Sequence, residues 1–370
     1  MERLFTPGPV EIPPKVLGVL GSQIIHHRTE EFREAFMRAR ALIKELLRED
    51  SDEFVFLTAS GTGAMEASVV NFFRQGERVL VINAGKFGQR WVEIARYYGL
   101  EVVEYSLEWG ESADLDVVFN HLKQGVSGVL FQICETSTGV YHPAPEIGRL
   151  CKDFDALCVA DAITALGVYN IIPSSWGIDV LIGGSQKALL LPPGLSLVWF
   201  SKRALSRLYG GGYYFDIKRE LKKQVEGQTA WTPAISLVLA LEESLKLILK
   251  GGMEAVEKRH RAIALGTLRA LSSYGFEPLA KSPSISVSAL IYERSEELRR
   301  ALLKHSIRIA GGQDRLKGKI IRISHMGVDA KDAMMLIGMI GVCLLQMGQS
   351  VDVESAVGAF IKTLREEAVW

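Results

Sequence analysis

Short apolar runs alternate with helical segments through the first two thirds of this chain, and few folds accommodate that alternation. Strand-like runs fall at 54–57, 78–82, 101–106, 129–134, 157–160, 180–182 and 196–200. Apolar residues at helical spacing fill 31–47, 64–73, 89–98 and 144–154 between several of them. Such strands are apolar on both sides, so helices must cover both faces of a mostly parallel sheet. Ligands of such sheets bind at the carboxyl ends of the strands.

The alternation stops near residue 250. Two long helices are expected at 235–250 and about 253–274, separated by Gly251-Gly252. Strand-like 285–291, helical 296–304, strand-like 307–310 and 319–324 and two final helices then make an α+β unit. Residues 1–20 carry Pro7, Pro9, Pro13 and Pro14 and read as an extended arm. The expected division is an arm at 1–20, a large domain at 21–250 and a small C-terminal domain at 251–370.

Composition narrows the function classes. Lysine plus arginine equals aspartate plus glutamate, 43 each, with no basic block, so neither nucleic acid nor an acidic membrane surface is an expected partner. The four cysteines show no Cys-x-x-Cys spacing, and neither a zinc site nor a disulfide framework is expected. The N-terminus has no apolar signal core, and the uncharged run 333–347 is short for a membrane span. The expected location is the cytoplasm.

Chemistry concentrates at the expected carboxyl ends. Asp161 ends the run 156–160, and Lys187 follows the run 178–182 within Gly183-Gly184-Ser185-Gln186-Lys187-Ala188. An idle charge there is costly, because burial disfavours it. Each residue alone has an ordinary reading, a helix cap for the aspartate and a solvated loop for the lysine. Together they suit pyridoxal 5'-phosphate, whose aldehyde takes the amine and whose ring nitrogen takes the carboxylate.

Other segments support a phosphate-bearing cofactor. Ser60-Gly61-Thr62-Gly63 joins a strand to a helix, where backbone N–H groups and the helix dipole favour a phosphate. The dinucleotide alternative is weaker, since Gly61-x-Gly63-x-x-Glu66 lacks the third glycine. Phe87, within Gly85-Lys86-Phe87-Gly88, is either a ring that lies on a planar ligand or a core aromatic. Thr136-Ser137-Thr138-Gly139 offers hydroxyls to a ligand or forms a capping turn. Arg322, inside the apolar stretch 318–324, is either a carboxylate clamp or half of an internal ion pair. His26-His27-Arg28 suits an interface or arm contact better than a metal.

Taken in order, these segments resemble the class V, fold-type I, pyridoxal-phosphate-dependent aminotransferases. The nearest branch is alanine/serine–glyoxylate (serine–pyruvate), which includes the soluble hydrogenase small-subunit-like proteins. Thr6-Pro7-Gly8-Pro9-Val10, Glu135-Thr136-Ser137-Thr138-Gly139, Pro192-Pro193-Gly194 and Gln228-Thr229-Ala230-Trp231-Thr232-Pro233 carry the resemblance beside the motifs above. It implies a large domain with a mostly parallel seven-stranded sheet and a smaller α+β domain.

The resemblance also implies roles. Lys187 matches the lysine that holds the cofactor covalently, and Asp161 the partner of its ring nitrogen. Thr62, Gly63, Ala64 and Gln186 match phosphate and ring contacts. Phe87 matches the stacking aromatic, Ile163 the aliphatic residue on the other ring face, and Thr136 a hydroxyl facing cofactor and substrate. Thr229 matches a phosphate contact crossing from a second subunit, which implies a homodimer with shared sites. Arg322 matches the α-carboxylate clamp, and Gly8 lies beside the substrate.

The implied activity is amine transfer from serine or alanine to glyoxylate or pyruvate. Aspartate, phosphoserine and aminoethylphosphonate are alternative substrates, for which Lys86, Arg28 or His325 would supply a second cation. A catalytically silent subunit of a larger complex is the alternative of another class. A cysteine desulfurase is disfavoured, because no cysteine lies between Cys158 and Cys343.

Overall fold

The computed structural model describes residues 2–51 and 53–369. Its centre is a seven-stranded sheet: β1 (Phe54–Leu57), β2 (Arg78–Asn83), β3 (Glu101–Ser106), β4 (Gly128–Gln132), β5 (Leu157–Asp161), β6 (Val180–Gly184) and β7 (Ser196–Phe200). The order across the sheet is β1-β7-β6-β5-β4-β2-β3. All neighbours run parallel except β7, which is antiparallel to both β6 and β1.

Both faces are buried, as the uninterrupted apolar strands require. Val79, Val81, Leu130, Leu157, Val159, Val180 and Ile182 face one apolar cluster, which includes helices Gly61–Phe72 and Lys86–Tyr97. Leu80, Ile82, Val129, Phe131, Cys158, Ala160 and Leu181 face the other, which includes helices Glu30–Leu47 and Ala144–Asp153. The alternation of side chains along each strand sorts these residues between the two layers.

A four-stranded antiparallel sheet, ordered Glu277–Pro278, Val287–Ile291, Ile320–Ser324 and Ala310–Gly311, forms the C-terminal unit. Helices Met253–Ser272, Ser295–Lys304, Ala330–Gln346 and Val353–Glu366 cover it in a separate core. Helix Met253–Ser272 serves both units: Val256 and Ala264 pack into the large one, Ala262 and Ile263 into the small one.

Three local expectations change. The first twenty residues are not all extended, since Pro14–Leu20 is a helix with proline in its first turn, where the missing N–H costs nothing. The run 129–134 breaks after Gln132, and Cys134–Glu135 pairs instead with Val140–Tyr141 in a hairpin. The run 307–310 splits between two partners. Ile307–Arg308 pairs with Arg3–Leu4, and Ala310–Gly311 with the strand carrying Arg322. The arm thereby spans both units, with Phe5 in the small core and Val10 and Val16 in the large one.

Candidate active site

Five of the strands deliver their carboxyl ends to one cavity of about 170 Å³. Ser60, Gly61 and Thr62 follow β1, Phe87 and Arg90 follow β2, and Thr136 follows β4. Asp161, Ile163 and Thr164 lie at and after the end of β5, and Gln186 and Lys187 follow β6.

Asp161 is buried at the last position of β5, and its Oδ1 accepts a hydrogen bond from the Ile163 amide at 2.7 Å. No other described residue donates to this carboxylate. Burial pushes its carboxyl up to about 7, against the pull of that amide and of Lys187 and Arg90. Lys187 is 9% exposed. Burial lowers its ammonium to about 8, and the nearby Asp161 charge opposes that shift. The amine donates to the carbonyl of Pro7 in the arm. Gly8 is required there, because its φ is +120° and a Cβ would lie 2.4 Å from the Lys187 Nζ.

The rim is built by the backbone. Helix Gly61–Phe72 begins at Ser60, which makes no side-chain cap, so its first N–H groups are left for a ligand. Gly61 lets Ile163 approach, since a Cβ at Gly61 would meet the Ile163 Cδ1 at 2.4 Å. The buried Gln186 Oε1 has no partner. The Arg90 guanidinium donates to the Thr62 hydroxyl at 3.0 Å and sits 4.8 Å from the centre of the Phe87 ring.

Arg322 stands on an interior strand of the small sheet and is not in the cavity lining, but its guanidinium bonds the backbone of Thr136, which is. It donates to the carbonyls of Gly311 (2.9 Å) and Thr136 (3.1 Å), and it forms no ion pair among the described residues. Burial lowers its guanidinium to about 10. A buried arginine held only by carbonyls has charge left for an anion. The Thr136 hydroxyl lies 2.6 Å from that of Thr164.

Of the residues singled out in the sequence, Thr62, Phe87, Thr136, Asp161, Ile163, Gln186 and Lys187 share the cavity. Gly63 and Ala64 lie in the first turn of the adjoining helix, outside the lining. Thr229 lies elsewhere in its own chain. It lines a small separate cavity with Tyr214 and Trp231, and its hydroxyl donates to the Trp231 carbonyl at 2.6 Å.

None of the three candidates for a second cation lines the cavity. His325 is fully buried beside the Ser288 hydroxyl, and burial lowers it to about 3, so it is neutral. Lys86 is paired with Asp314 at 2.9 Å. Arg28 is exposed, donating to Gln228 Oε1 and the Thr229 carbonyl, and is not in the lining.

Arg90 and Thr164 were not foreseen. The only signal for Arg90 was its position three residues after Phe87 on one helix, which puts both on one face. Thr164 required the turn after β5. All four cysteines are buried free thiols, and no described residues form a metal-ligand cluster.

The family model for aminotransferase class-V matches residues 17–316. The chain belongs to the class-V aminotransferases. An uncharacterised aminotransferase of Helicobacter pylori (strain J99) is 37% identical over 333 residues, 88% of this chain and 89% of that protein. A serine–glyoxylate aminotransferase of Methylorubrum extorquens is 29% identical, over 98% of this chain and 96% of that one. The crystal structure of an aspartate aminotransferase of subgroup IV from Thermus thermophilus superposes with a TM-score of 0.89 at 39% identity, covering 93% and 99% of the two chains. This class-V aminotransferase has the fold-type I architecture, and its cofactor is pyridoxal 5'-phosphate.

The residues present fit that cofactor. A buried carboxylate with one hydrogen bond is ready for a protonated ring nitrogen, an amine of lowered basicity for an aldehyde, and an open helix N-terminus for a phosphate edge.

Proposed function

We propose that this aminotransferase moves the amino group of a small L-amino acid, serine or alanine, to glyoxylate or pyruvate. The carrying observation is Arg322. It is buried beside Thr136 without an acidic partner, and so is suited to a single α-carboxylate. Relatives named serine–glyoxylate aminotransferase support the reading.

Pyridoxal phosphate supplies an electrophilic carbon and an electron-accepting ring. The residues around it do the positioning and the proton transfer. Lys187 would hold the cofactor through its amine, and the same amine would serve as the base and acid that moves the substrate α-proton. A basicity near 8 leaves about a tenth of its amine free at pH 7, far more than an ordinary lysine has. Asp161 keeps the ring nitrogen protonated. Thr62, Gly63, Ala64 and Gln186 would hold the phosphate. Phe87 and Ile163 sandwich the ring, Thr136 meets the ligand through its hydroxyl, and Arg322 with Gly8 orients the substrate.

In this reading the chain works as a cytoplasmic homodimer, with Thr229 completing the phosphate site of the second subunit. The arm ends near residue 20 and the large domain near 250. A catalytically silent subunit is disfavoured, because every expected cofactor position is filled.

Aspartate is the second reading. A second cation, Arg90, lines the cavity without an ion pair among the described residues, and a structural relative is named an aspartate aminotransferase. Purified protein offered serine, alanine and aspartate, each with glyoxylate and with pyruvate, separates the two. Dominant transfer from aspartate overturns the first reading.

A further inference from the structure

The helix that carries Phe87 and Arg90 does not cap itself. Its N-cap residue is Gly85, which has no side chain, yet its first three N–H groups are all satisfied. The Lys86 amide donates to the Ser137 hydroxyl at 3.0 Å. The amides of Phe87 and Gly88 both donate to Glu135 Oε2 at 3.0 Å. The cap therefore comes from residues about fifty positions away, on the turn after β4. Glycine at 85 is what admits them: a Cβ there would lie 2.4 Å from the Ser137 hydroxyl and 2.7 Å from the Glu135 carboxyl carbon.

The other oxygen of Glu135 is equally occupied. Oε1 accepts from the Ser137 amide at 3.0 Å and from the Ser137 hydroxyl at 2.6 Å. Four donors thus converge on one fully buried carboxylate. An acceptor-only group suits this arrangement, and the partial positive charge of a helix N-terminus favours an anion there. Burial pushes the carboxyl up, and the four hydrogen bonds push it back. Thr136, the residue between Glu135 and Ser137, lines the cofactor cavity, and its carbonyl receives Arg322. The segment Glu135-Thr136-Ser137 therefore touches both the aromatic-bearing helix and the arginine-bearing strand.

We propose that Glu135 is a positioning residue whose carboxylate, through the tertiary cap on helix Lys86–Tyr97, sets the Phe87 ring against the cofactor. It acts through Phe87 and not on the substrate, and this rests on the reading of Phe87 as the stacking ring. A one-turn helix start held at N1, N2 and N3 cannot rotate freely, so the ring tilt follows the carboxylate. Glutamine cannot replace it. Each oxygen meets two donors, so either orientation of the amide turns an NH2 group toward a donor pair.

The test is a double-mutant cycle on cofactor affinity, measured by equilibrium dialysis of the cofactor-free protein against pyridoxal phosphate, with circular dichroism of the bound cofactor as a second readout. Glu135→Gln weakens affinity about tenfold or more and changes the cofactor dichroism, because a charged acceptor is lost. Phe87→Ala alone also weakens affinity; if it does not, the stacking reading fails by itself. In the Phe87→Ala background, Glu135→Gln has less than about a threefold further effect. An equal loss in both backgrounds shows general structural support and overturns the proposal, as does an unchanged affinity and dichroism in Glu135→Gln alone. Ser137→Ala repeats the cycle with a milder change should Glu135→Gln fail to fold. It removes the hydroxyl shared by Glu135 and Lys86, and the same non-additivity with Phe87→Ala is expected; additivity overturns the proposal.

Discussion

The Lys187 amine is held by the carbonyl of Pro7, 180 positions earlier in the chain. The arm is thus part of the wall around the lysine, and Gly8 is the point of closest approach. Gly8→Ala sets a methyl group where the amine now sits and strains a backbone at φ +120°. The expected outcome is a fall in kcat/KM of about a hundredfold, since small misplacements of a reacting group cost that much. Steady-state kinetics on the folded variant check it.

Lys187→Ala abolishes turnover, and the pH-dependent visible absorption of the bound cofactor disappears with it. Retained turnover refutes the role of this amine.

Arg322 has carbonyls on one side and an anion-ready edge on the other. Arg322→Ala raises KM for the amino donor about 10- to 100-fold, the worth of a hydrogen bond to a charged group, with a smaller effect on kcat. Unchanged KM and kcat remove the clamp.

The basicity of Lys187, lowered to about 8 by burial, makes cofactor uptake pH-dependent. A lowered value means that the neutral, reactive amine predominates above about pH 8, instead of above about 10.4. Reincorporation of pyridoxal phosphate into the cofactor-free protein therefore speeds up between about pH 7 and 9 and then levels off. Because the Asp161 charge raises the lysine, Asp161→Asn moves the midpoint down. Absorbance-monitored reconstitution at several pH values reads both.

Asp161 carries the opposite sign. Burial raises its carboxyl to about 7, so the folded cofactor-free protein binds this proton more tightly than the unfolded chain does. Its stabilising contribution is complete below about pH 4 and is lost as pH rises to about 7, a cost on the order of a few kcal/mol. Asp161→Asn removes the ionisation. The cofactor-free variant melts higher than the parent at pH 8, and the gain shrinks toward pH 4. Cofactor affinity moves the other way, because the ring nitrogen loses its partner. Calorimetry at both pH values and dialysis against the cofactor check the pair of effects.

The sequence by itself determined the layers. Apolar strands with helices between them can bury two faces only in an α/β sandwich, and Phe54–Leu57, Glu101–Ser106 and Ser196–Phe200 were legible to the residue. It also placed Asp161 and Lys187 at strand ends, because a charge terminating an apolar run is visible without coordinates. Strand direction was not legible. Nothing local to Ser196–Phe200 says that it runs against its neighbours, since an apolar run reads the same either way.

Only the tertiary structure decided which distant groups meet. The Pro7 carbonyl reaches Lys187, the Thr136 carbonyl receives Arg322, and Glu135 caps a helix whose own cap position is Gly85. His325 lost its candidacy the same way, by a burial that no neighbouring residue in the sequence reports. Local sequence sets backbone preference and periodicity. Charge state and partnership depend on desolvation and on contacts across hundreds of residues, and those exist only once the chain has closed on itself.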